Sequence, residues 1–155
     1  MKRLTIALAA LAVTLAGCAS AGGGSSGGSG VTVLQSGSHS AMKDETFKDF
    51  HNQADLDAFL ATAFEKGSAP SLKVDWNTQM VLVAFLGTRK TTGYRVSFTK
   101  VDASGDQVQV DTKITIPCAQ QASPDTHQAP FTIVTAPAST KTVNFTDPNQ
   151  DFQKC

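Results

Sequence analysis

The run Val81-Leu-Val-Ala-Phe-Leu86 constrains this chain more than any other stretch beyond its N-terminal leader. It is apolar without a break, is preceded by Met80 and stopped by Gly87, and three of its six residues are β-branched or aromatic. An apolar run this short, with no polar alternation, suits a strand buried on both faces. Beyond Gly87 the character changes. Thr88–Gly93 is polar, carries Arg89 and Lys90, and ends in a second glycine. Alternation then begins, with Tyr94, Val96 and Phe98 on one face and Arg95, Ser97 and Thr99 on the other. The pattern predicts a central strand, an exposed loop and a returning antiparallel strand. Loops held by a rigid sheet are where binding residues concentrate, so Thr88–Tyr94 is the first place to look for function.

The N-terminus reads as an address rather than as part of a core. Lys2 and Arg3 form a positive start, Leu4–Leu15 an apolar stretch of twelve residues, and Ala16-Gly17 a small-residue cleavage site. Twelve residues are too few to span a bilayer as a helix, and residues 1–17 read as a signal peptide. Leu15-Ala16-Gly17-Cys18 matches the bacterial lipobox, which implies cleavage before Cys18 and lipid attachment to it. The alternative is an ordinary secreted protein in which Cys18 has no such role. Several acyl chains, at about 0.8 kcal/mol per buried methylene, anchor a protein firmly without a transmembrane helix. No aspartate follows Cys18, so the inner-membrane retention signal is missing. The expected location is the cell envelope, at the outer membrane and facing the periplasm or the cell surface. Residues 18–30 hold the cysteine and a glycine–serine tether whose r.m.s. span is roughly 17–21 Å. Residues 31–155 are left to fold as a single domain.

Charge and cysteines narrow the partners. Lys2 and Arg3 are two of the 13 basic residues, so 11 face 13 acidic ones in the remainder. No basic stripe with interleaved aromatics appears, so nucleic acid is not an expected partner. Cys118 and Cys155 form an even pair in an oxidising compartment, where an intrachain disulfide is the simplest expectation. Two free thiols, or an intermolecular bond through Cys155, are the competing readings.

Hydrophobic periodicity places one helix. Asn52 is the N-cap candidate, and Leu56, Phe59, Leu60, Ala63 and Phe64 give one apolar stripe. Lys66, Gly67 and Pro70 supply stop signals, so the helix is expected over about 52–66. Strands are expected at Val31–Gln35, Ser38–Met42, Thr46–His51, Gln107–Ile116, Phe131–Thr135 and Thr142–Phe145, and Trp76 at the sheet rim. Strands in sequence plus one helix argue for α+β, a mainly antiparallel sheet of five to seven strands, curled or barrel-like, with the helix packed on it.

Catalytic chemistry finds little support. His39, His51 and His127 are scattered with no metal-ligand spacing, so no metal or cofactor is expected. Cys118 with His127 is the sharpest nucleophile–base pair available. Cys118 follows a proline in a loop, however, with no helix N-terminus to lower its pKa, and Cys155 is the partner expected to take its thiol. No small-molecule substrate is expected, and the chain is read as a non-enzyme. The loop offers binding instead: hydroxyls at Thr91 and Thr92, a free backbone at Gly93, an amphipathic anchor at Tyr94, and positive charge at Arg89 and Lys90.

A resemblance adds to this reading. Val74-Asp75-Trp76, Met80–Gly87, Arg89, Thr91–Val96, Ala129–Val134 and Val143-Asn144-Phe145 resemble the C-terminal domain of the protease complex subunit PrcB family. Lys90 stands where that pattern has proline, and Phe131 where it has tyrosine. The resemblance implies a protein partner, most plausibly an exported protease, with this chain as accessory or regulatory subunit. Thr91-Thr92-Gly93-Tyr94 is also similar to the inserting loop of chagasin-type cysteine protease inhibitors, which implies direct inhibition as an alternative. A purely structural envelope lipoprotein is the third reading.

Overall fold

The computed structural model describes residues 30–155, so the signal peptide, Cys18 and nearly all of the tether lie outside the described residues. The elements are β1 (Thr32–Gly37), β2 (Thr46–Phe50), α1 (Gln53–Ala63), β3 (Gln79–Phe85), β4 (Arg89–Thr91) and β5 (Arg95–Asp102), followed by β6 (Gln107–Ile116), β7 (Pro124–Gln128), β8 (Phe131–Pro137), β9 (Thr142–Phe145) and β10 (Asn149–Phe152). One four-stranded sheet runs β1-β8-β3-β2 with every pair antiparallel. In a second sheet β6 pairs antiparallel with β5 and parallel with both β9 and β10. β4 and β7 form a separate two-stranded ribbon. The fold is α+β, mainly antiparallel, and its sheets are not closed into a barrel.

β3 lies between two apolar layers, as its unbroken apolar sequence requires. Successive strand residues point to opposite faces. Met80, Leu82, Ala84 and Leu86 pack with Val96, Phe98, Val108, Val110 and Ile114 of the second sheet. Val81, Val83 and Phe85 pack with Leu56, Leu60, Ala63 and Phe64 on the helix side. Each large side chain buried in this way contributes roughly 1.5–3 kcal/mol of transfer free energy. A domain's net stability is only about 5–15 kcal/mol, so neither covering layer is dispensable.

The helix begins where the sequence places it. Asn52 accepts a hydrogen bond from the Asp55 amide at 2.9 Å through its side-chain oxygen. It ends earlier than expected, at Ala63, because Phe64 turns to an extended conformation. That turn carries the Phe64 ring edge-on to Phe131 at 4.8 Å and to Phe85 at 5.9 Å. Aromatic packing therefore stops the helix before Lys66 and Gly67 can. Trp76 is half-buried against the helix-side core, and its indole N–H donates to Gln53 Oε1 at 3.2 Å at the start of α1.

Three expectations need correction. Ser38–Met42 is not a strand; its backbone groups are taken by partners outside any ladder. The Ala129 amide donates to the Ser38 carbonyl and the Ala41 amide to the Ala63 carbonyl, each at 2.8 Å. β5 does not return as a hairpin beside β3, because both edges of β3 are occupied by β2 and β8; the chain crosses to the second sheet instead. Short strands also raise the total: β7 lies inside what reads as an irregular proline-containing loop, and β10 in a polar tail with little alternation to mark it.

Cys118 and Cys155 are joined by a disulfide with a Cα–Cα distance of 5.4 Å, which ties β10 to the end of β6. On the chain-entropy model, closing this loop stabilises the fold by about 4 kcal/mol.

Two-faced burial of β3 makes a direct prediction. Leu82→Ala on the sandwich side is expected to cost about 2–5 kcal/mol, and Phe85→Ala on the helix side about 3–5 kcal/mol, in urea unfolding. A cost below about 1 kcal/mol for either would mean that its face is not core.

Candidate functional site

The candidate loop is a braced ribbon rather than a free connection. Gly87 turns the chain out of β3 with a positive φ of 67°, and a side chain there would strike the backbone of Lys43 and Asp44. The Thr88 amide donates to the Lys43 carbonyl at 3.1 Å. β4 then pairs with β7, Arg89 opposite Gln128 and Thr91 opposite Pro124. Two further bonds fasten the tip: the Thr92 amide donates to the Ser123 carbonyl at 2.8 Å, and the Ser123 amide donates to Thr92 Oγ1 at 3.0 Å. Thr92 therefore uses its hydroxyl within the fold.

Gly93 closes the ribbon. Its φ is +95°, and an added Cβ would come within 2.7 Å of Pro117 Cβ. Pro117 immediately precedes Cys118, so the bend of the ribbon rests on the residue next to the disulfide. The glycine is needed both for its backbone conformation and for this close approach.

The charges behave differently from one another. Arg89 Nη2 lies 2.9 Å from Glu45 Oε2, and its guanidinium carbon lies 5.7 Å from the centre of the Tyr94 ring. Arg89 is thus committed inside the domain, as an ion pair and a cation–π contact. Lys90 is exposed and in no ion pair among the described residues, as is Arg95. Tyr94 is half-buried against the sandwich core. The ribbon therefore presents Lys90, with Thr91 and Gly93 beside it.

A cleft of about 370 Å³ opens at the base of the ribbon. Ser36, Gly37 and Ser38 form one wall and Gly93–Val96 the other, with Gln128, Phe131 and Thr132 between. Thr132 Oγ1 donates to the Val96 carbonyl at 2.6 Å and holds the two sheets together there. Gln128 is 3% exposed, and its side-chain oxygen has no hydrogen-bond partner. Buried polar atoms without partners are uncommon. Sequence reasoning missed this cleft, since it joins residues from β1, β5, β7 and β8 that no local pattern links.

The remaining sequence candidates are placed as follows. Cys118 is oxidised and so holds no free thiol for His127 to activate. His39 and His127 line one cavity of about 600 Å³, with His39 Nε2 3.9 Å from Asp125 Oδ2. His51 pairs separately with Asp49 at 2.9 Å. Among the described residues no three His, Cys, Asp or Glu side chains converge as a metal site. The clearest pKa shift lies away from the ribbon: bonds from Ser104, with Lys100 adding to them, hold the Asp102 carboxyl far below the usual range. Hydrogen bonds from Thr78 and Asn77 lower Asp75 likewise. Asp102 orders the turn from β5 to β6 and Asp75 the turn that leads from α1 into β3, and neither lines the two cavities above.

In comparison with known proteins, residues 80–137 match the family model described as PrcB C-terminal. No curated protein and no solved structure matches the chain. The matched span runs from β3 to the last residue of β8, so it includes both ribbon strands and the core strands beneath them.

Bracing on Pro117 is tested with two glycines. Gly93 and Gly105 both have positive φ, but nothing lies within 4 Å of a Cβ at Gly105. Gly105→Ala is expected to cost about 1 kcal/mol from backbone strain. Gly93→Ala adds a clash and should cost about 1–3 kcal/mol more in chemical denaturation. Equal costs would show that the ribbon does not lean on Pro117.

Proposed function

We propose, from the match of residues 80–137 to the PrcB C-terminal family model, that this protein is a non-catalytic accessory or regulatory subunit that binds an exported protease. The observation that carries the reading is the extent of the family match, because it spans the ribbon together with the strands that brace it. A braced, exposed projection that carries Lys90, in no ion pair among the described residues, beside the Tyr94 ring suits protein recognition, since little ordering entropy is lost when it docks. Lipid on Cys18 and the glycine–serine tether hold the domain at the envelope, at the outer membrane, and let it reorient toward its partner.

Direct protease inhibition through residues 88–94 is the second reading. Pre-organisation of the Thr91-Thr92-Gly93-Tyr94 tip favours it, because a loop that enters a protease cleft gains affinity from being already shaped.

Capture from envelope extract with the tagged full chain tests both. The expected result is an exported protease that co-purifies with undiminished activity, and a recovery at least roughly tenfold lower for the Lys90→Glu/Thr91→Ala/Tyr94→Ala variant. A captured but blocked protease selects inhibition. No enriched protein leaves the structural lipoprotein, and recovery indifferent to the triple variant removes the ribbon from the interface.

A further inference from the structure

We infer that the cleft at the base of the ribbon binds an extended peptide segment carrying a carboxylate, received by Arg95. The inference rests on the protein-binding reading above and names the chemistry of what is bound. Two edge strands meet at this cleft. β1 ends the first sheet and contributes Ser36 and Gly37; β5 ends the second and contributes Arg95 and Val96. Edge strands carry backbone groups that no neighbouring strand satisfies, and an added strand is their natural complement. Ser36 and Gly37 stand in ladder with Thr132 and Phe131 on one side of the cleft, and Arg95 and Val96 of β5 border it on the other.

Size and charge define the occupant further. A volume of about 370 Å³ is near the lower end for ligand sites, enough for a few residues of a strand but not for a helix. Arg95 is the one charged residue in the lining, and it makes no ion pair among the described residues. An arginine facing a cleft without a counter-charge favours a carboxylate, which it can hold through two parallel hydrogen bonds. The rest of the lining is suited to a backbone. Ser36 offers a hydroxyl and Tyr94 lines the wall, while at Gly37 the Phe131 ring occupies the space a side chain would need, 2.8 Å from an added Cβ. Gln128 also borders the cleft, with its amide oxygen buried and without a hydrogen-bond partner.

The ribbon and the cleft form one continuous surface, since Gln128 is the ladder partner of Arg89 and Gly93 belongs to both. A partner gripped at the ribbon thus places its neighbouring segment over the cleft.

The test uses the ¹⁵N-labelled full chain and two fluorescein-labelled nonapeptides of alternating threonine and valine. One has a central glutamate and the other a glutamine. The glutamate peptide is expected to bind, to move the amide signals of Ser36, Gly37, Arg95, Val96 and Gln128, and to bind more tightly than its glutamine twin. Arg95→Glu should weaken the glutamate peptide roughly tenfold or more, while the same charge change at exposed Lys73 leaves it unchanged. Absence of binding at millimolar peptide, shifts confined elsewhere, or equal affinity for both peptides and both variants would each overturn the inference. Envelope capture separates this failure from that of the accessory role. A protease captured through the ribbon by a protein that ignores both peptides removes the cleft alone. Peptide binding through Arg95 without any captured protein removes the protease reading and leaves the cleft.

Discussion

Burial of β3 on both faces is the constraint from which the rest of the structure follows. A strand of this kind needs one apolar layer from α1 and another from the second sheet, and the chain supplies each from a different region. Both edges of β3 are also filled, by β2 and β8, so the chain leaving it has no lateral place to go. It must climb out at Gly87 and cross between sheets. The ribbon is the path of that crossing. Its location is therefore a consequence of core packing rather than a separate feature added to the fold.

The crossing is held at both ends by close backbone contacts. At one end Gly87 passes against Lys43 and Asp44; at the other Gly93 rests on Pro117. Between them β7 runs alongside, and Thr92 and Ser123 exchange hydrogen bonds at the tip. Pro117 is in turn placed by β6 and by the Cys118–Cys155 bond. The disulfide thus stabilises more than the C-terminal tail, because it secures the surface against which the ribbon turns. Arg89 adds an ion pair to Glu45 near the start of β2, which leaves Lys90 as the charge offered outward.

Much of this was legible in the sequence, for physical reasons that can be stated. β3 and β6 announce themselves because one is uniformly apolar and the other alternates, and these patterns report two-faced and one-faced burial directly. Asn52 marks the helix start because capping is local chemistry. The helix end was not legible: Phe64 leaves the helix to meet Phe131, a residue far along the chain. β7 and β10 were missed because short polar strands gain their order from a neighbouring strand and not from their own periodicity. The ribbon's residues stood out through Gly93 and Tyr94, but their bracing did not, since Pro117 and Ser123 are distant in sequence. For the same reason no local signal could find the cleft, whose walls come from four strands.

The central claim is that the ribbon is a pre-formed extension of the β3 core rather than a loose loop. Residue-resolved native-state hydrogen exchange tests it most directly. Amides of Val81–Phe85 should exchange only through global opening, and Thr88 and Thr92, whose N–H groups bond Lys43 and Ser123, should be clearly protected although they lie outside the main sheets. Thr88 and Thr92 exchanging at the rate of an unstructured chain, with β3 still protected, would contradict it.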